Sequence, residues 1–342
     1  MKSRQLGPQT TIVILTYERK SFIEVFFHTM ADQNFCGTLI IADGSSQDYH
    51  RNMIESIGKN NWPFTFRFVN SPKKSGESIR RNMNNCIKEC SKFVETKYVM
   101  LTCDDDIPVA ETLNSIEKIL DKNSDLGGCI GDICNLWIDK AIFARKNNFA
   151  KNLTWEPAGK IIGNTSIERF KYFAEHVFHA MFTVVRRQTF NCYVPDSALC
   201  MDLPLISAEW FWWFSVINAG PVHHVEQPIL IRQRHGDNLS AKGILMSIEE
   251  AMKLDSWPIE LEKFTAYINK KLLNDSNYNS LLLQDIIFKF INLYKEKRVK
   301  DYFYKEQNQR KLKNRYRFSF LKSSRMYNSI CLKIISRHRN FI

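Results

Sequence analysis

Along the first 130 residues the apolar positions fall into two alternating patterns. Short unbroken runs rich in β-branched residues are followed by stretches in which apolar side chains recur every three or four positions. Residues 11–16 (T-I-V-I-L-T) form such a run and predict a strand covered on both faces, as in a parallel sheet. Residues 19–32 follow with Phe22, Val25, Phe26 and Met30 at helical spacing. Residues 38–42 (T-L-I-I-A) predict a second strand, which runs into Asp43-Gly44-Ser45-Ser46, a turn that also caps a helix. Residues 64–69 predict a third strand, 75–94 a helix, and 98–102 (Y-V-M-L-T) a fourth strand that ends in Asp104-Asp105-Asp106. Strands alternating with helices predict an α/β fold: a doubly wound, mostly parallel sheet flanked by helices, with right-handed crossovers. Ligands bind such sheets at the carboxyl ends of the strands. Asp43 and the Asp104–Asp106 cluster both fall there.

The middle of the chain is less regular. Residues 127–136 predict a strand, 146–165 a loop insertion rich in Asn, Gly and Lys, and 178–185 a further apolar and aromatic strand. Residues 207–218 predict a helix stopped by Gly220. Residues 222–232 predict a last strand, placed near an edge because Pro228 interrupts it. Beyond Ser240 the pattern is helical at 244–254, 259–273 and 279–294. The resulting division is a sheet domain over 1–240, a helical C-terminal extension over 241–294, and a basic, aromatic tail over 295–342.

Composition changes this picture in three places. The net charge of +12 resides in residues 295–342, with fifteen Lys or Arg against three acids, so the rest of the chain balances to zero. Tyr294, Tyr302, Phe303, Tyr304, Tyr316, Phe318, Phe320 and Tyr327 interleave those cations. Two readings stand: a segment lying on an anionic membrane surface, or a helix packed on the core with a solvated basic face. Nucleic-acid binding is a weaker third, and no nucleic acid is expected as a partner. The nine cysteines are scattered without paired or zinc-type spacing, which fits buried reduced thiols in a cytoplasmic protein. No apolar stretch is long enough for a membrane-spanning helix, and residues 1–9 lack the apolar core of a secretory signal.

Candidate chemistry centres on Asp104-Asp105-Asp106. Adjacent carboxylates repel, so a strand end keeps three of them only where a cation or hydrogen-bond donors offset the repulsion. If the chain stays extended, Asp104 and Asp106 face one side together and suit Mg²⁺ or Mn²⁺. The competing reading is a set of acids at the start of a helix after Pro108. Asp43 either accepts bonds from a nucleoside or closes an Asx turn. Gly76 precedes a helix carrying Arg80, Arg81 and Asn82, whose cations either meet a diphosphate or form an exposed basic face. Glu209 stands before Trp210-Phe211-Trp212-Trp213-Phe214, a setting that raises a carboxyl pKa toward general-base use unless the acid is simply exposed. His235, after Arg232-Gln233-Arg234, either joins a metal or phosphate site or is structural. His28, His50, His223 and His224 receive no role.

Taken in order, these segments resemble the family 2 glycosyltransferases of the GT-A fold. Thr11 to Tyr17 with Ile40 to Ser46 is similar to that family's opening strand, helix and "D-x-S". Gly76 to Asn82 resembles "G-x-x-x-A-R-N", with Arg80 in the Ala position, and Met100 to Asp106 its "D-x-D" strand. Ala208 to Gly220 resembles the "E-D" helix with its trailing Trp and Gly, and Pro228 to Ser240 the closing "R-x-x-H…N-x-S".

The resemblance spans residues 10–240 and implies a nucleotide-diphosphate sugar donor, a Mn²⁺ or Mg²⁺ cofactor, and single inverting displacement onto an acceptor hydroxyl, in surface polysaccharide or glycan synthesis. It assigns donor contacts to Thr16, Tyr17, Glu18, Asp43, Gly76, Arg81, Asn82, Asp104 and Asp105. The metal would fall to Asp104, Asp106 and His235, with Asp106 the more direct ligand, and the base to Glu209. Trp210 replaces the second acid of the "E-D" pair, so Asp202 and Glu175 are reserve bases. The acceptor would be a glycan or lipid-linked, reached from the cytoplasm or from the inner face of a membrane. A nucleotidyltransferase of related fold should show a Gly-rich loop after the first strand, and residues 16–22 contain no glycine. A non-catalytic nucleotide-sugar-binding module of the same fold is the other alternative.

Overall fold

A computed structural model describes residues 9–77, 79–138, 153–193, 208–235, 250, 252–273, 280–307 and 320–339. Its first half is the expected alternation. Strands β1 (Thr10–Thr16), β2 (Thr38–Asp43), β3 (Thr65–Asn70) and β4 (Tyr98–Cys103) are linked through helices α1 (Lys20–Asp32), α2 (Gln47–Ile57) and α3 (Ile79–Ser91). All four strands are parallel, and their order β3-β2-β1-β4 reverses between β1 and β4. That reversal is the switch point at which such sheets open a crevice.

Beyond β4 the sheet turns mixed. The chain continues through β5 (Asp106–Pro108), α4 (Ala110–Lys122), β6 (Gly128–Trp137), β7 (Leu153–Glu156), α5 (Ser166–Glu175), β8 (Val184–Arg186), α6 (Arg187–Tyr193), α7 (Ala208–Ala219) and β9 (Val222–Arg234). The full order is β3-β2-β1-β4-β8-β6-β9-β5, with β7 paired to β6. β5, β7 and β8 run against the other six strands.

Two expectations are adjusted, one strand is added and one reading holds. Residues 153–156, read as loop, pair with β6 through Leu153 and Trp155, whereas residues 139–152 lie outside the described part. The strand expected over 178–185 is mostly a 3₁₀ turn at Ala180–Phe182, and only Val184–Arg186 reaches the sheet. Thr183 explains the break, because its hydroxyl bonds back to the Ala180 carbonyl at 2.8 Å. β5 had no counterpart in the sequence reading. Pro228 does mark an irregularity: β9 gains two residues against β6 just before it, and only residues 230–232 of β9 also pair with β5.

Alternate strand residues feed two cores. Val13, Leu15, Ile40, Val99 and Leu101 pack with α3, α5, α7, α8 (Trp257–Ile268) and α9 (Ser280–Gln307). Ile12, Ile14, Leu39, Ile41 and Met100 pack with α1, α2, α4 and α10 (Phe320–Arg339). Helix α7 is apolar all round and buried throughout its middle, so Trp210, Trp213 and Phe214 contact Phe290 of α9.

α9 runs through Lys295 without a break. The second half of the basic segment is a core helix: Tyr327, Ile330, Cys331, Ile334, Ile335 and His338 are buried at helical spacing. Lys333 and Arg337 reach Asp32 at the end of α1, at 3.7 and 2.6 Å. Among the described residues no helix is long and apolar enough to cross a membrane, and no cysteine is in a disulfide.

Candidate active site

Register brings the expected residues to one edge. Asn70, Asp43 and Thr16 stand side by side at the ends of β3, β2 and β1, and the Asp104 N–H donates to the Leu15 carbonyl at 3.1 Å. Past Thr16 the chain turns sharply. Glu18 adopts φ 53 and is exposed, its N–H held by Ser45 Oγ at 2.7 Å, and Arg19 becomes the residue before α1.

Asp43 is fully buried, and Oδ1 accepts from the Ser45 N–H at 2.9 Å while Oδ2 lies 2.6 Å from His50 Nδ1. The Asx-turn reading therefore holds, with an imidazole added that the sequence reading had passed over. Gly44 is required by close approach. A Cβ there would sit 2.0 Å from Asn82 Oδ1 and 3.3 Å from Tyr17 Cδ2. Asn82 in turn donates to the Ser71 carbonyl at 2.7 Å. Gly76 has φ +75 in the turn before α3, a conformation glycine adopts without strain. Arg81 is exposed on α3.

The three aspartates do not continue an extended strand. β4 ends at Cys103, Asp104 and Asp105 form a turn, and Asp106 opens β5. Each carboxylate then has its own partners. Asp104 accepts from Thr16 Oγ1 at 2.7 Å and from Arg19 Nη1 at 2.8 Å. Asp105 Oδ2 meets the same Arg19 nitrogen at 3.0 Å and His235 Nε2 at 3.2 Å. Asp106 Oδ1 accepts from Arg232 Nε at 3.2 Å. Arg232 also meets Glu156 at 3.3 Å and lies over the Phe182 ring. Phe22 stacks beneath both Arg19 and His235, with its ring 4.8 Å from the guanidinium carbon and 4.6 Å from the imidazole centroid.

Burial dominates the electrostatics. Together with the Asp105 charge it pushes the Asp104 carboxyl up to about 7. It pushes Asp106 up to about 7 as well, against the pull of Arg232. Burial acts on Asp105 too, but the His235 hydrogen bond and the Arg19 charge outweigh it and hold that carboxyl below the ordinary range. Burial, reinforced by the Asp106 and Asp105 charges, drives the Cys103 thiol well up.

Among the described residues, one ligand atom each from Cys103, Asp105 and Asp106 lies within 4.8 Å of the others. Two adjacent carboxylate oxygens fit a hard Mg²⁺ or Mn²⁺ ion. The Cys103 sulfur is a soft ligand and suits such an ion less well than the two carboxylates do. Extended-chain alternation had coupled Asp104 with Asp106; the turn instead couples Asp105 with Asp106 and leaves His235 bonded to Asp105.

Glu209 opens α7, and Oε1 lies 3.1 Å from His179 Nε2. His179 is sandwiched against Phe182 and Trp213. The Glu209 charge reaches both Cys103 and Arg232, so this carboxylate lies in the neighbourhood of the aspartate cluster. Glu175, the reserve base, is instead in an exposed ion pair with Lys289 at 2.8 Å, and Asp202 lies outside the described residues. Arg19, His50, Glu156, His179 and Arg232 had no assigned role in the sequence reading. Only Arg232, within the R-Q-R-H run, carried a signal there.

No protein-family model matches the chain, and no curated protein matches it in sequence. Solved structures do match in fold. S. aureus TarS 1-349 superposes with TM-score 0.53 at 10% identity, over 96% of this chain and 81% of that one. The same protein in complex with UDP-GlcNAc gives TM-score 0.50 at 11% identity, over 83% and 72%. A mannosyltransferase from Pyrobaculum calidifontis in complex with GDP-Man and Mn²⁺ gives TM-score 0.44 at 11% identity, over 98% and 87%, an overlap too loose to argue from. The architecture is that of GT-A glycosyltransferases.

Proposed function

We propose that the chain is a divalent-cation-dependent glycosyltransferase that moves a sugar from a nucleotide-diphosphate donor to an acceptor hydroxyl with inversion. One observation carries the reading. A buried aspartate cluster lies at the switch point of a GT-A-type sheet, with a further carboxylate, Glu209, close enough for its charge to act on Cys103 and Arg232.

In this reading Thr16, Tyr17, Glu18 and Asp43 form the nucleoside side of the donor cradle, and His50 holds the Asp43 carboxylate in place. Gly76, Arg81 and Asn82 frame its outer wall. Asp105 and Asp106 hold the cation. His235 orients Asp105, and Asp104, tied to Thr16 and Arg19, keeps the turn in position. A cation bound there supplies positive charge against the departing diphosphate. Glu209 takes the proton from the acceptor hydroxyl. His179 orients it, and the surrounding aromatic wall excludes water and favours proton uptake.

S. aureus TarS in complex with UDP-GlcNAc makes uridine-diphosphate sugars the first donors to test. The acceptor is a glycan or a lipid-linked glycan of a surface polysaccharide, and the cations of residues 295–342 that do not pair with the core would draw the enzyme to an anionic membrane face.

A thermal-shift screen of nucleotide-diphosphate sugars with Mn²⁺ tests donor binding. Failure of every donor to stabilise the protein would end this reading. A Glu209→Gln protein should fold and bind donor, with transfer reduced about 10²–10⁴-fold. Undiminished turnover would remove Glu209 from the base role.

A further inference from the structure

A single nitrogen, Arg19 Nη1, lies 2.8 Å from Asp104 Oδ1 and 3.0 Å from Asp105 Oδ2. Its guanidinium thus bridges two carboxylates that otherwise repel, which is the work a divalent ion would do at the same turn. Asp105 belongs to the pair whose oxygens converge with Cys103, so a cation there and the Arg19 nitrogen compete for one carboxylate. Arg19 is placed to give way. Its backbone sits at the β1–α1 junction, immediately before the first turn of α1, and its side chain reaches the Asp104–Asp105 turn, beside which the donor diphosphate lies in this reading. Its side chain keeps partial access to solvent, and its guanidinium carbon lies over the Phe22 ring, 4.8 Å from the centroid, a contact that does not fix the direction of its N–H groups. The planar fork of N–H donors on a guanidinium suits phosphate oxygens.

We propose that Arg19 is a stand-in cation that changes partners. In the metal-free protein it clamps Asp104 to Asp105, and when a divalent ion takes Asp105 it passes to the diphosphate of the donor. This rests on the donor-binding reading above and adds to it an arginine that couples metal loading to phosphate capture. The ion and the diphosphate then bind cooperatively, because the first releases the residue that grips the second.

The test is equilibrium binding to the full chain and to Arg19→Met and Arg19→Lys variants, with folding checked by circular dichroism. The probes are Mn²⁺ alone, UDP and GDP at saturating Mn²⁺, and uridine and guanosine. In Arg19→Met, Mn²⁺ alone should bind about 3–10-fold more tightly, because a competing cation is gone. UDP or GDP should bind about 10–100-fold more weakly, as expected for loss of a charge-assisted phosphate contact, with the nucleosides unaffected. Arg19→Lys should recover part of the diphosphate affinity. If the wild type binds UDP or GDP with Mn²⁺ and Arg19→Met matches it for every probe, or loses Mn²⁺ and diphosphate affinity in parallel, the change of partners is overturned while donor binding stands. Absence of Mn²⁺-dependent diphosphate binding in the wild type overturns both.

Discussion

Replacing Ile334 by Ala separates the two readings of the basic C-terminal segment. Ile334 is 0% exposed on α10, whereas Leu332, two residues earlier, is 48% exposed. Truncating a fully buried Ile costs about 2–5 kcal/mol from lost burial and the cavity left behind. The better helix propensity of Ala returns a few tenths of that, so the net expected loss is about 2–4 kcal/mol. Leu332→Ala should stay within about 0.5 kcal/mol. With a urea m-value of about 3 kcal/mol/M for a chain of this size, the Ile334→Ala midpoint should fall by about 1 M while the Leu332→Ala midpoint barely moves. The assay is urea unfolding of both full-length proteins in the absence of lipid. Equal midpoints would refute the docked helix and return the segment to a role on membranes. Deleting residues 320–342 should be harsher still. Tyr327, Ile330, Ile334 and Ile335 alone bring about 6–12 kcal/mol of burial as an upper bound, comparable with the whole stability of an ordinary domain.

Three further outcomes are expected. Arg232→Met should destabilise by about 3–5 kcal/mol, because it strips buried Asp106 of its guanidinium and leaves Glu156 to Arg234 alone; adding Asp106→Asn should restore much of the loss in the same melts, and no recovery would argue against the pairing. The folded-state pKa values of Asp104 and Asp106 are raised, so the stability tied to their protonation is complete below the unfolded carboxyl range near 4 and is lost as pH rises through about 7. The melting shift produced by Mn²⁺ should therefore be larger at pH of about 8 than at about 5.5, and an equal shift at both values would exclude Asp106 as its source. Gly44→Ala should lower both the melting temperature and UDP affinity because its methyl meets Asn82, and Gly44→Ala/Asn82→Ala should melt higher than the single variant.

The parallel half of the sheet was legible because β1, β2 and β4 are buried on both faces, which leaves little choice but unbroken apolar runs. β5 was not, since three residues ending in Pro108 carry no period, and only pairing with β9 makes them a strand. α10 was obscured by its own solvent face. Lysines and arginines set the charge of residues 295–342, while Tyr327, Ile330, Cys331, Ile334 and Ile335 form the inward stripe of α10.

At the site, residue type and strand-end position were enough to pick out Asp43, the Asp104–Asp106 cluster and Glu209. Their partners were not legible, because Arg19, His50, His179 and Arg232 reach them from other elements, across 85 positions in the case of Arg19 and Asp104. The turn at Asp104–Asp105 also defeats the simple rule that alternate residues share a side.

His338, near the end of α10, bonds to Gln233, and the Gln233 N–H bonds to the Asp105 carbonyl at 2.9 Å. The strand edge that bears the aspartates is thus braced by a helix that follows it in the chain by 105 positions. Until α10 has been made, all the candidate donor and base residues are present, yet the sheet face that α10 will cover is still bare. During that interval the polypeptide presents a sticky apolar surface to chaperones and to its neighbours. The brace on the aspartate turn therefore forms only when α10 seats.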